Sequence, residues 1–321
     1  MKKLGKGTLI SSAALSSPAL YALHTEAARK PAPKKIRIGI IGAENSHTIG
    51  FGRVFNVERK FPGVEVISVW GETDALARKA MEKGNIPHMV KDPLEMLGKI
   101  DALIVDHRHP RYHLEAAAPF VRAGIPAFID KPFCYRVSEG IEFLAMAREL
   151  GTPVTSFSSI AQSDATFDLK AQVESMDEIN QVIRFGPVDL DSQYGGVFFY
   201  GVHMVQPLIY IFGEEITKVK ISRDENNGNA TLLFRNGLFA TLIFKRHAYG
   251  WETFVETDDR LVELIPRVKE PDPARHYVDM VEMFRTGKEP RSHQNILKCV
   301  AVLEALEKSA LSGNWEEVWQ S

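Results

Sequence analysis

The stretch Lys35-Ile-Arg-Ile-Gly-Ile-Ile-Gly42-Ala-Glu-Asn-Ser-His47 decides the fold of this chain. An apolar run of strand length ends at Gly42 and passes into a segment able to start a helix, which reads as the opening of a parallel sheet. The pattern then repeats. Strands are predicted over Ile36–Ile41, Val64–Val69, Asp101–Asp106 and Ala127–Ile129, with Val154–Phe157 as a further or exit strand. Between them Glu72–Lys83, Pro93–Leu97, Tyr112–Arg122 and Val137–Leu150 have helical composition. Alternation of this kind is the signature of βαβ units. Pro119 is expected to kink or shorten the third helix, and Gly124-Ile-Pro126 and Gly151-Thr-Pro153 are helix-stop signals before a strand.

Beyond about residue 156 the pattern changes to a helix over Ala165–Asn180 and then to longer β runs. Asn236-Gly237 between Ala230–Phe234 and Leu238–Phe244 predicts a hairpin with a type I′ turn. Two helices, near Ala274–Arg285 and Gln294–Leu311, close the chain. The predicted architecture is an α/β Rossmann domain with a parallel sheet over residues 35–155, followed by an α+β domain with a largely antiparallel open sheet over 156–321. That open sheet offers a surface for a homo-oligomer.

Composition excludes several classes. With 45% hydrophobic and 25% charged residues and a formal net charge of −2, nothing points to nucleic acid as a partner. Residues 1–35 hold seven basic side chains against Glu26, so without them the net charge of −2 becomes −8. Lys2, Lys3 and Lys6 precede a charge-free run, Thr8–Leu23, followed by small residues at Ala27 and Ala28. This is the layout of a signal peptide over residues 1–34 and an exported, periplasmic protein. The alternative is a disordered leader on a cytoplasmic one, and the lack of a twin arginine favours it for a protein carrying a nucleotide. The run is too short and polar to span a membrane. Cys134 and Cys299 are the only cysteines, too few for a disulfide scaffold or a cysteine-based zinc cluster, and both are expected buried and reduced.

Ala127-Phe-Ile-Asp-Lys-Pro-Phe133 places Lys131 directly after a strand, at the sheet end where open α/β folds bind ligands. The first loop keeps one glycine of a dinucleotide fingerprint. In Gly42-Ala43-Glu44-Asn45-Ser46-His47, Glu44 stands at the second glycine position and His47 at the third. A carboxylate beside a pyrophosphate is unfavourable unless it points away, and the rival reading is a sheet turn with a polar helix cap. The acid expected to hold an adenosine ribose is Glu72, two residues past the second strand; an ordinary first-turn helix acid is the equal alternative. His107, His109 and His113 with Asp106 form a dense cluster whose spacing is open to a zinc reading. Ser156, Ser158, Ser159 and Gln162 are candidates to hydrogen-bond sugar hydroxyls.

Four segments together resemble the glucose-fructose oxidoreductase / inositol dehydrogenase family (Gfo/Idh/MocA). They are Ile38-Gly-Ile-Ile-Gly42, Asp101-Ala-Leu-Ile-Val105 with His113 after it, Ala123-Gly-Ile-Pro-Ala-Phe-Ile-Asp-Lys-Pro132, and Gly195-Gly-Val-Phe-Phe-Tyr-Gly-Val-His203. The resemblance implies NAD or NADP as cofactor, no metal, and contacts to cofactor and substrate from the His107 loop. It implies that Asp130-Lys131-Pro132 is the family's Glu-Lys-Pro motif, with Lys131 beside nicotinamide and substrate and the glutamate replaced by Asp130. It also implies that His203 is the motif histidine of a helix that carries an aspartate four residues earlier. Here that position is Phe199, and Tyr200 beside it offers a hydroxyl for substrate binding or proton relay. The implied activity is oxidation or reduction of a sugar, cyclitol or glycoside hydroxyl, with His203 as proton acceptor and Lys131 orienting the oxygen. The alternatives are a keto-sugar lyase or hydratase of the same family and a non-catalytic sugar-binding accessory protein. With Glu72 the only acid at the second strand's end and no basic cluster after it, NAD is expected over NADP.

Overall fold

A computed structural model of the chain describes residues 35–225, 227–245 and 249–320, all within the unit that runs from Lys34 onward. The leader read from residues 1–34 lies outside the described residues. Strand β1 (Ile36–Ile41) starts a six-stranded parallel sheet, continued by β2 (Val64–Trp70), β3 (His88–Met89), β4 (Ala102–Val105), β5 (Ala127–Ile129) and β6 (Val154–Thr155). The spatial order is β3-β2-β1-β4-β5-β6, which reverses direction between β1 and β4. That reversal opens a crevice at the strands' carboxyl ends, where doubly wound sheets bind ligands.

Helices α1 (His47–Gly52), α2 (Asp74–Gly84), α3 (His113–Arg122) and α4 (Val137–Glu149) make the crossovers. The central strands are apolar on both faces because both are covered; Ile38, Ile40, Leu103, Ile104 and Val105 are all fully buried. Pro119 does not end α3, which runs three residues further before stopping at Ala123. Its first turn carries Glu115, its last Arg122, both favourable to the helix dipole.

The second half begins with α5 (Asp164–Glu174), shorter than the sequence pattern implies because β7 (Ile179–Pro187) takes over the residues after it. Helix α6 (Val197–Phe212) is buried on nearly every side, and β8 (Ile216–Asp224), β9 (Asn227–Phe234), β10 (Phe239–Lys245), β11 (Glu252–Thr257) and β12 (Leu261–Glu263) follow. Helices α7 (Val278–Thr286) and α8 (His293–Ser312) and the short β13 (Glu316–Glu317) complete the chain. The second sheet has the order β12-β11-β7-β10-β9-β8-β13 and is antiparallel except where β7 meets β10. The hairpin lies where Asn236-Gly237 placed it, but its turn is not type I′. Gly237 has φ +92° while Asn236 stays at negative φ, and the Gly237 amide bonds to the Phe234 carbonyl. The loop is therefore a three-residue one with glycine last.

Burial joins the two halves. Phe51 and Phe128 meet edge to face, and Tyr277 packs on Phe51 and Phe55, so the segment leading into α7 closes one face of the first sheet. The other face is continuous with α6, α8 and the inner face of the second sheet. Cys134 and Cys299 are free and buried, and burial raises both thiols far from reactivity. Among the described residues no helix is long and apolar enough to cross a membrane.

Candidate active site

Gly42 opens the site. Its φ of +108° and its position against the backbone of Asp106 and His107, which a Cβ would approach to 2.6 Å, leave no room for another residue. The next two amides, of Ala43 and Glu44, both donate to Glu72 Oε2 at 2.9 Å. Glu72 Oε1 lies 2.9 Å from His107 Nδ1. Burial works against the Glu72 charge, but the His107 ring, the Ala43 amide and the residue's own amide outweigh it and hold the carboxyl below its ordinary range. The amides of Asn45 and Ser46 have no partner among the described residues.

Beneath the loop lies a buried polar network. Asn45 Nδ2 donates to Asp106 Oδ1 (2.9 Å) and Asp130 Oδ2 (3.1 Å), Thr48 Oγ1 donates to Asp106 Oδ2, and His47 Nδ1 lies 3.1 Å from Asp130 Oδ2. Lys131 Nζ lies 3.4 Å from the same oxygen, and its side chain is 7% exposed. The two carboxyls separate in charge. Burial and the neighbouring Asp130 push Asp106 well above the carboxylate range, while for Asp130 the Lys131 ammonium and His47 overcome burial and hold it well below. Of the two, Asp106 is thus the one that favours its proton and Asp130 the one that favours its charge.

The second half contributes α6. His203, Tyr200 and Phe199 face Lys131, His47 and Glu44 across a cavity of about 140 Å³, with Arg108 also on its wall. His203 Nδ1 is 2.7 Å from Ser158 Oγ. Burial, and next the Lys131 charge, hold His203 well below the imidazole range, so it is neutral. The Tyr200 hydroxyl, 3.2 Å from that of Tyr249, is pushed up to about 12 by burial and that contact. Phe199 packs on Tyr194 and lies under the Arg108 guanidinium, which also covers the Tyr194 ring. A larger hollow of about 440 Å³ lies beside Arg148, Glu289 and His293, but those side chains pair with one another and none belongs to this network.

Several sequence expectations find their places here. Gly42, Ala43, Glu44, Asn45, Ser46, His47, Glu72, His107, Asp130 and Lys131 all gather at the carboxyl ends of β1, β2, β4 and β5, with His203 and Tyr200 opposite. The histidines after β4 do not converge. His107 meets Glu72, His109 Nδ1 accepts from the Arg111 amide, and the buried His113, lowered to about 4 by burial, lies between the carbonyls of Pro132 and His107 and donates its single N–H to one of them. The Glu44 carboxylate accepts from the Tyr194 hydroxyl at 2.7 Å, so it is tied across the crevice to the second half. Thr48, Arg108 and Tyr194 have no place in the sequence reading, and Asp106 enters it only with the histidines after β4. Their roles depend on contacts 58 to 150 positions apart in the chain, which no local spacing reveals.

Residues 36–157 match the oxidoreductase family GFO_IDH_MocA, NAD-binding Rossmann fold. Over these residues the chain is similar to that family's NAD-binding domain. No curated protein matches it. Solved structures extend the fold likeness over most of the chain. GenD2 of gentamicin A biosynthesis, solved with NAD, has a TM-score of 0.76 at 14% identity, covering 91% of this chain and 98% of its own. Myo-inositol 2-dehydrogenase from Lactobacillus plantarum has 0.74 at 16%, covering 89% and 100%. Myo-inositol dehydrogenase from Lactobacillus casei, solved with NAD(H) and myo-inositol, has 0.71 at 12%, covering 89% and 98%. The first loop of this chain has the features that suit a dinucleotide: the glycine-only turn at Gly42, the Asn45 and Ser46 amides without a partner among the described residues, and Glu72 just past β2. Because Glu44 is held by a hydroxyl, Glu44→Gln keeps that bond and removes one negative charge near the loop. It is expected to tighten NAD binding roughly fivefold in a calorimetric titration, the scale of a partly screened charge. Unchanged or weaker binding would show that the charge itself is useful.

Proposed function

We propose that the protein is an NAD(P)-dependent oxidoreductase acting on a hydroxyl of a sugar, cyclitol or glycoside, with residues 35–155 as the cofactor half and 156–321 as the substrate half. The observation that carries the reading is a buried lysine at the end of β5 sharing one cavity with two histidines, beside a glycine turn with free amides. The bound nicotinamide supplies the hydride acceptor. Asn45 and Ser46 amides and the Gly42 turn hold the dinucleotide, and Glu72 takes the ribose side. Lys131 Nζ holds the reacting oxygen and stabilises negative charge on it. Neutral His203, its Nδ1 fixed by Ser158, hydrogen-bonds the same hydroxyl, and Tyr200 lines the wall behind it. Burial keeps most water away from the lysine, whose side chain is 7% exposed. Solved relatives of the fold named for inositol oxidation support the substrate class.

The test is a screen of inositols, aldoses and glycosides with NAD and with NADP, reading reduced nicotinamide and product mass. Reduction with at least one polyol is expected, and NAD should bind at least ~10-fold more tightly than NADP, because the Glu72 carboxylate would face the extra phosphate. Absence of binding by either dinucleotide would reject the reading, and tighter NADP binding would reject the role of Glu72. The missing carboxylate at Phe199 favours a second reading, a keto-sugar lyase or hydratase. That enzyme would yield product with no net change in the nicotinamide.

A further inference from the structure

We infer that His47, backed by Asp130, is the group that takes the hydroxyl proton; the inference rests on the oxidoreductase reading above. The resemblance places a carboxylate four residues before the motif histidine of α6, on the same face, and in this chain that carboxylate is gone: Phe199 occupies its position, and His203 bonds only to Ser158 among the described residues. A buried histidine without an anion is a poor proton acceptor, because its cation has nothing to pair with. The first loop has gained what α6 lacks. Where a dinucleotide fingerprint carries its third glycine stands His47, and where the lysine motif carries glutamate stands Asp130, 3.1 Å from His47 Nδ1.

Asp130 is an ionised, buried carboxylate and therefore only accepts hydrogen bonds, so the hydrogen must lie on His47 Nδ1. The lone pair is then on Nε2. The ring is about a third exposed and lines the same cavity as Lys131 and His203, so it is open to a substrate hydroxyl. Asp130 acts as a positioning residue, fixing the tautomer and pairing with the imidazolium once formed. When the substrate O–H breaks, its electron pair stays on the oxygen beside the Lys131 ammonium, and the proton rests on His47.

A cation held by His47, Asp106 and Asp130 is the rival use of these groups, whose ligand atoms lie within 4.8 Å of one another. Two features oppose it. Asn45 Nδ2 already lies between the carboxyls, and the Lys131 ammonium sits 3.4 Å from Asp130, where it repels a second positive charge.

The experiment has two arms. Ring-nitrogen NMR of the wild-type protein without added dinucleotide should show His47 as the Nδ1–H tautomer, and Asp130→Asn should abolish that preference; an Nε2–H ring in the wild type would overturn the inference. Turnover of His47→Gln should fall ~100-fold or more, the scale of a positioned proton acceptor, while its NAD dissociation constant stays within about threefold. His47→Ala should recover part of its activity in added imidazole. A His47→Gln protein that loses NAD binding but keeps its turnover at saturation would make His47 a cofactor contact and sink the inference. If the wild type binds no dinucleotide, the oxidoreductase reading fails, whereas the tautomer result stands apart from it.

Discussion

Lys131→Ala is expected to lower turnover by at least ~100-fold at saturating dinucleotide and substrate. The loss follows from position: among the described residues Nζ is the only ammonium on the cavity wall, it is 7% exposed, and it is held against Asp130 at 3.4 Å. An ammonium already desolvated and already aimed needs no reorganisation when negative charge develops on the substrate oxygen, and removing one such group costs about 3 kcal/mol of barrier. The substitution also leaves Asp130 with only His47 and Asn45, so NAD affinity should fall more for Lys131→Ala than for His203→Ala, which sits further from the loop. Steady-state kinetics with a parallel NAD titration decide the matter. Retention of a tenth or more of wild-type turnover would remove Lys131 from the chemistry and make its pairing with Asp130 a packing feature.

The second large effect is on stability, and it separates the two buried carboxyls. Asp130→Asn should cost about 3–5 kcal/mol of unfolding free energy near neutral pH, because it strands the Lys131 ammonium without its buried counterion. Asp106→Asn should cost under about 1 kcal/mol, since burial and Asp130 already disfavour its charge, and an amide can accept from Asn45 while donating to Thr48 Oγ1, whose own proton then goes to the Gly42 carbonyl. The pH dependence has opposite signs. Asp130 lies below its unfolded value, so its stabilisation is present above the unfolded carboxyl range and is lost as pH falls toward the folded value. Asp106 lies above its unfolded value, so the wild type loses stability as pH rises past the unfolded range, and Asp106→Asn escapes that loss. Denaturant unfolding of both variants at mildly acid and neutral pH measures this. Equal costs for the two substitutions would contradict the assignment of the proton to Asp106.

The parallel sheet was legible because its central strands are buried almost throughout, so that β4 and β5 read as unbroken apolar runs and β1 is interrupted only at Arg37. Ile36–Ile41 and Ala127–Ile129 fall where the pattern places them. Helix α5 was read too long, since Ser175, Met176 and Asp177 suit a helix by composition while pairing of β7 with β10 and β11 claims the segment from Ile179. Turn chemistry gave the hairpin's location but not its type, which depends on whether two or three residues bridge the strands. At the site, Lys131 and His203 were visible from motif position. The pairings that set their properties were not: Asn45 with two carboxyls, His47 with Asp130, and Glu44 with Tyr194 join residues 61 to 150 apart. A sequence shows that an aspartate follows a strand, but only the fold shows which aspartate keeps its proton.

The packing of Tyr277, Met280, Val281 and Phe284 on the first sheet, with the Glu304 carboxylate accepting the Val137 amide, bears on how such a chain can be taken apart. Residues of α7 and α8 wall one side of the first sheet and brace the loop after Lys131. Residues 35–155 are therefore no exchangeable cassette. Grafted onto another partner they would present bare aromatic surface and an untethered lysine loop, so any graft between relatives must carry α7 and α8 with it.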